Sequence, residues 1–155
     1  MAVCGDPQSR HGIILAKNEH AKRFGVQTAE TIYAAKKKCP ALVLVAPHRE
    51  LYSEFSKKAN DIYKEYTDLV EPFGLDESWL DVTNSRLLFG SGKQIADELR
   101  QRFKTELGIS CSVGVAFNKS MAKLASDYQK PDATTVITRE NFKRLVYPLP
   151  ISALL

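Results

Sequence analysis

Phe73-Gly74-Leu75-Asp76-Glu77-Ser78-Trp79-Leu80-Asp81-Val82-Thr83 sets two adjacent carboxylates at an expected bend between two strand-like runs. Residues 69–73 are extended in character, and Pro72 and Gly74 bar a helix there. Residues 79–83 alternate large or apolar side chains with smaller polar ones and are rich in strand formers. Neighbours in a regular strand point to opposite faces, so Asp76 and Glu77 share one site only if the chain turns there. Gly74 and the Asp-Glu-Ser cluster supply the chemistry of such a turn. Two carboxylates held close repel, and a divalent cation or a shared proton relieves that repulsion most simply. Spacing alone favours the plainer reading, a solvated acidic hairpin tip, so the surrounding residues must decide.

The chain has 155 residues, enough for one domain or a domain with a small appendage. A hydrophobic content of 44% with 26% charged residues describes an ordinary soluble globular protein. The formal net charge of +4 permits a polyanionic partner without demanding one. Cys4, Cys39 and Cys111 lack metal-ligand spacing, and their odd number argues against a disulfide framework. A reducing, cytoplasmic setting is the expectation. No run is long and apolar enough to span a membrane, and no signal-peptide pattern opens the sequence.

Outward from the acidic turn, the pattern predicts a helix over residues 48–66 before it and another over residues 91–107 after it. The stripe Leu51, Phe55, Ala59, Ile62, Tyr63 and Tyr66 on the first reads as core packing. A strand at 109–117, a helix at 119–129, a strand at 134–137 and a helix at 139–146 follow. Upstream, residues 2–4 and 12–16 read as a hairpin joined by a polar loop over 8–11. A helix over 19–24 ends at Gly25, and Thr28 is the expected N-cap of a helix over 29–38, closed by Cys39-Pro40. Residues 42–46 read as a buried strand between prolines. The predicted class is α+β: a split βαβ, ferredoxin-like palm lacking its first strand, with a small α/β unit before it.

An open sheet with a carboxylate pair at its hairpin is a platform for metal-assisted phosphoryl transfer. Each metal needs several oxygen ligands, which invites a third acidic residue. Asp81 lies nearby but reads as structural, holding the strand through local donors. Lys119, Lys123 and Lys130 sit at intervals of four and seven across a helix opened by Asn118, a spacing that fits a phosphate-facing row or a solvated face. Gly90-Ser91-Gly92-Lys93 lacks the glycine spacing and following hydroxyl of a phosphate-binding loop. His11, His20 and His48 are scattered and suggest no metal site.

Taken together, the motifs carry a family likeness. Glu71-Pro72-Phe73-Gly74-Leu75-Asp76-Glu77-Ser78-Trp79-Leu80-Asp81-Val82-Thr83 resembles the central acidic motif of the Y-family, lesion-bypass DNA polymerases, and the likeness is closest to their polymerase IV branch. Ser112-Val113-Gly114-Val115-Ala116, Asn118-Lys119, Ala122-Lys123, Ala125-Ser126-Asp127 and Lys130-Pro131 resemble their next motif. Gly12-Ile13-Ile14-Leu15-Ala16 with Asn18, and Arg23-Phe24-Gly25-Val26, resemble their fingers. The match runs in order along nearly the whole chain.

The resemblance implies template-directed transfer of a nucleotide from a deoxynucleoside triphosphate to a primer 3′-hydroxyl, in translesion synthesis and DNA repair. Two magnesium ions would serve, with manganese as a substitute. Asp76 and Glu77 would be the metal ligands and catalytic carboxylates. Lys130, Lys22 and Asn18 would meet the triphosphate, and Lys119 and Lys123 would meet primer-template DNA. Residues 1–47 would be fingers with a preceding strand, 48–147 palm, and 148–155 the start of a thumb.

The family pattern also begins with a strand bearing another metal-binding aspartate and an aromatic gate, which this sequence does not contain. It has Asn-Tyr-Glu-Ala-Arg where Asn18-Glu19-His20-Ala21-Lys22 stands here, and lysine keeps the charge while losing the bidentate fork of arginine. The expectation is therefore a palm-and-fingers segment not competent alone, with any sliding-clamp contact made by regions outside it. The alternative is a non-catalytic nucleic-acid or partner-binding module on the same fold.

Overall fold

The computed structural model describes residues 1–6 and 11–154, the side chain of residue 154 excepted. The chain divides into two compact units, Met1–Leu51 and the remainder from Tyr52. Its class is mixed α+β, as expected.

In the first unit β1 (Ala2–Cys4) is central, pairing antiparallel with β2 (Ile14–Lys17) and parallel with β3 (Leu44–Val45). The expected hairpin is present, while most of its polar loop, residues 8–10, lies outside the described residues. Cys4 and Ile14 are fully buried, and Ala21, Val26, Ile32, Ala35 and Leu42 join them in one core. Helix α1 (Glu19–Arg23) is capped by Asn18, whose side chain accepts from the Ala21 amide, and Gly25 follows in the left-handed conformation.

Helix α2 (Ile32–Lys38) corrects the expected start. Its N-cap is Thr31, not Thr28, because Ala29 takes a left-handed backbone (φ 66°) and interrupts any earlier turn. Glu30 there accepts from the Gln27 amide and pairs with Lys38 at 2.5 Å. The Thr28 hydroxyl instead accepts from Lys17 Nζ at 3.0 Å.

Helix α3 (Arg49–Lys64), all but its first three residues in the second unit, places Ile62 in a core with Tyr66, Ile95, Leu99 and Phe103. The stripe packs only toward its C-terminal end; Leu51, at the other end, is exposed. The hairpin β4 (Val70–Phe73) and β5 (Glu77–Leu80) pairs Phe73 with Glu77 and Val70 with Leu80. The second strand therefore starts two residues earlier than its composition suggested and ends before Asp81. The Asp81 carboxylate accepts from the Thr83 amide at 3.0 Å, bending the chain out of the strand.

A short helix α4 (Arg86–Phe89), absent from the sequence reading, precedes α5 (Gly92–Arg102). Ser91 and Gln94 form a reciprocal capping box on α5, so the serine of the Gly-Ser-Gly-Lys run serves a helix end. The expected helix 91–107 is α-helical only to Arg102; residues Phe103–Leu107 form a π-turn, ended by left-handed Gly108.

Strands β6 (Val113–Ala116) and β7 (Thr134–Ile137) pair in parallel, connected by α6 (Lys119–Tyr128). The expected split βαβ, ferredoxin-like palm would join these strands to the hairpin in one largely antiparallel sheet. The strands form two separate ladders instead, because the hairpin and the parallel pair share no strand-to-strand hydrogen bonds. Leu124, Ala125, Ile137 and Val146, the last on α7 (Phe142–Val146), build the core beneath α6. No helix among the described residues is long and apolar enough to cross a membrane.

Candidate nucleotidyl-transfer site

Gly74, with φ 73°, makes the turn between β4 and β5, a conformation that costs glycine little. Asp76 sits in that turn, exposed, and takes no hydrogen bond or ion pair among the described residues. Glu77 is the first residue of β5 and is half-buried. The turn thus separates the two carboxylates in environment while keeping them adjacent in the chain. Asn60 on α3 accepts from the Ser78 hydroxyl at 3.2 Å, fixing the start of β5.

Helix α6 lies across β6 with its backbone almost on the strand. A Cβ added at Gly114 would overlap the Ala122 carbonyl oxygen and the Ser126 amide nitrogen. Asn118 caps α6 by accepting from the Met121 amide at 2.8 Å. One hydrogen bond and two ion pairs join the helix to the hairpin. The Trp79 indole N–H donates to the Lys119 carbonyl at 3.2 Å, the Lys119 ammonium pairs with Glu71, and the Lys123 ammonium pairs with Glu77. The Lys119 ammonium also lies 5.4 Å from the centre of the Trp79 ring.

The carboxylate of Asp127, one turn beyond Lys123, is 3.2 Å from Lys123 and 2.5 Å from Lys130. A row of alternating charge results: Glu77, Lys123, Asp127, Lys130. Burial opposes the Lys123 ammonium, but hydrogen bonds to Glu77 and Asp127 outweigh it and raise its pKa. Burial likewise opposes the Asp127 carboxylate, and the two lysines more than compensate, holding its pKa down. Beyond Lys130, a cis bond leads to Pro131 and then to Asp132 in a left-handed conformation (φ 52°). Arg100 on α5 holds that turn, donating to the Asp132 carboxylate at 2.9 Å, to its carbonyl, and to the Thr134 hydroxyl at 3.4 Å.

Of the residues singled out in the sequence, Glu77, Lys119, Lys123 and Lys130 are drawn into this one surface, with Asp76 at its edge. Asn18 and Lys22 belong to the first unit. There the Asn18 side chain is engaged in capping α1, and Lys22 is 3.5 Å from Glu19 on an exposed face. Sequence reasoning gave no role to Asp127, Glu71, Asn60 or Arg100. The i,i+4 and i,i+3 spacings of Lys123, Asp127 and Lys130 were a legible signal for the first of these. The others are long-range partners without a local pattern.

Among the described residues, no group of three or more His, Cys, Asp or Glu side chains is placed to hold a metal ion. The three cysteines are free, and burial pushes the Cys111 thiol up to about 11.

The model of the impB/mucB/samB family matches residues 1–127. DNA polymerase IV of Acetivibrio thermocellus is 57% identical over 155 residues, which are all of this chain and 39% of that protein. DNA polymerase IV of Ralstonia nicotianae is 43% identical over 99% of this chain and 43% of its own length. Two solved structures carry the same fold at 28% identity. A Y-family polymerase chimera of Dbh with a Dpo4 segment has a TM-score of 0.89, covering 99% of this chain and 45% of its own. DinB from Sulfolobus solfataricus has a TM-score of 0.88, covering 98% and 45%. The chain thus spans about two fifths of the length of the curated relatives named here, and by the extent of the family match it belongs to the impB/mucB/samB family of Y-family DNA polymerases.

Proposed function

We propose that this chain is the fingers and palm segment of a lesion-bypass DNA polymerase that adds nucleotides to a primer 3′-hydroxyl. Residues 1–47 are the fingers with their preceding strand, 48–147 the palm, and 148–155 the entry to a thumb. Primer-template DNA and deoxynucleoside triphosphates are its partners in a cytoplasmic setting, and a sliding clamp would be met by other regions. The observation that carries this reading is the β4–β5 turn, which presents Asp76 free beside Glu77 while Lys119 and Lys123 of α6, and Lys130 just beyond it, line the same surface.

The donors present suit a hard divalent cation such as magnesium or manganese. They are carboxylate oxygens, one of them exposed and unpartnered, and the other already balanced by an ammonium. Divalent cations held there would supply Lewis acidity for phosphoryl transfer. Asp76 and Glu77 are the ligands this chain offers. Two carboxylates do not fill two coordination shells, so phosphate oxygens of the substrate and further donors complete them.

Lys130, at the end of the helix, carries its charge on a mobile stem suited to a polyphosphate. From the fingers, Lys22 would offer the triphosphate an ammonium and Asn18 a neutral side-chain amide. Lys119 and Lys123, each paired with a glutamate of the hairpin, line the surface offered to the DNA backbone, which they would meet by charge rather than by sequence recognition.

Primer extension by the full-length protein containing this segment tests the proposal. Asp76→Ala is expected to lower kcat by about a thousandfold, the cost of losing several kcal/mol of transition-state charge stabilisation. A variant that retained wild-type kcat would overturn the assignment.

A further inference from the structure

The row Glu77, Lys123, Asp127, Lys130 does more than place charges on a surface. Lys123 is the only member with an acidic partner on each side, at Glu77 and at Asp127. Its ammonium contacts Glu77 Oε1, for which a cation bound by Glu77 would have to compete. A lysine side chain has the reach to leave one carboxylate for another one helical turn away without disturbing its backbone. Asp127 is that second carboxylate. It is held ready by its other contact, the 2.5 Å pair with Lys130.

We propose that Lys123 is an exchangeable counter-charge: shared between Glu77 and Asp127 in the absence of a divalent cation, it leaves Glu77 and rests wholly on Asp127 when a cation takes Glu77. Asp127 is then a positioning residue that acts through Lys123. The inference rests on the reading of Glu77 as a cation ligand. Two consequences follow from geometry and charge alone. The carboxylate pair is spared repulsion before the cation arrives, because Glu77 carries its own ammonium partner. The cation also binds with an affinity set partly by Asp127, a residue outside the ligand set.

Binding of Mn2+ alone to the full 155-residue chain, followed by electron paramagnetic resonance, tests the proposal without any turnover. Lys123→Met removes the competitor and is expected to tighten Mn2+ binding roughly fivefold, the scale of a partly exposed ion pair. Asp127→Asn removes the receiver and is expected to weaken binding about threefold, on the same scale. In the Lys123→Met background, Asp127→Asn is expected to change nothing, because its effect runs through the lysine. Circular dichroism of each variant establishes that it is folded.

If Asp127→Asn weakens binding equally in both backgrounds, Asp127 acts directly and the exchange is overturned. The exchange is also overturned if Lys123→Met leaves wild-type affinity unchanged while Asp76→Ala abolishes it, although the cation site itself then stands. Asp76-dependent binding seen only in the Lys123→Met variant would support the exchange. Absence of Mn2+ binding in every variant would sink the reading of the site and the exchange with it.

Discussion

Gly114 on β6 lies directly beneath the Ala122 carbonyl of α6, with no room between them for a methyl group. The backbone of Gly114 is not in the left-handed region, so the requirement is one of space. This approach seats Lys119 and Lys123 on the hairpin, because every contact from α6 to β4 and β5 depends on where the helix rests. Gly114→Ala must push the helix away from the strand against backbone atoms that cannot rotate aside. A loss of about 3 kcal/mol is expected, the upper part of the range for overpacking. Urea denaturation measures it, and a loss below about 1 kcal/mol would show that the approach is not rigid.

Arg100 ties α5 to the turn that follows Lys130, through the Asp132 carboxylate, the Asp132 carbonyl and the Thr134 hydroxyl. Lys104 reaches the same carboxylate at 2.6 Å but makes one contact. Arg100→Ala is therefore expected to lower the melting temperature more than Lys104→Ala, and Arg100→Lys to restore little of the loss, since an ammonium cannot replace the planar fork. Equal effects of Arg100→Ala and Lys104→Ala would contradict this.

The capping assignment separates two roles for Asn18. Asn18→Ala is expected to destabilise the first unit by about 1 kcal/mol, the usual cost of losing an N-cap, whereas Asn18→Asp is expected to keep the cap. Thermal denaturation of both variants decides the point. Because α1 is only five residues long, the loss should appear as fraying of 19–23 in amide exchange.

Several carboxylates of the second unit are held below their ordinary pKa. Lys104 and Arg100 act on Asp132, Arg102 acts on Glu65 and Glu106, and Lys93 with Thr134 acts on Asp97. A carboxylate whose folded pKa is depressed stabilises the fold above its unfolded value and loses that contribution as pH falls through the folded value. The urea midpoint is therefore expected to hold between pH 7 and 5 and to decline from roughly pH 4 downward, where unfolded carboxylates titrate. Asp132→Asn should flatten part of the decline. A midpoint unchanged down to strongly acid pH would contradict the assignment.

Much of this molecule was legible in its residues, and what was missed shares a cause. The β4–β5 hairpin, α6 and β7 were readable because Gly74, Asn118 and the β-branched run Thr134-Thr135-Val136-Ile137 signal structure locally. The start of α2 was misplaced because Thr28 and Thr31 are equally good caps, and only the left-handed Ala29 distinguishes them. The end of α5 was hidden because a π-turn keeps the apolar spacing of a helix. The pairing of the strands depended on long-range ladders, which no single stretch encodes. At the site, Asp76 and Glu77 stood out as neighbours. The lysine partner of Glu77 lies 46 residues away, and a motif likeness supplied what spacing did not.

The central claim is that the acidic turn is a cation site organised by Asp76 and Glu77, with Asp81 serving the strand. Titration of the chain with Mn2+, comparing wild type, Asp76→Ala and Asp81→Ala, tests it most directly. Binding by wild type, its abolition in Asp76→Ala and its retention in Asp81→Ala are expected. Unchanged binding in Asp76→Ala, or binding lost only in Asp81→Ala, would contradict it.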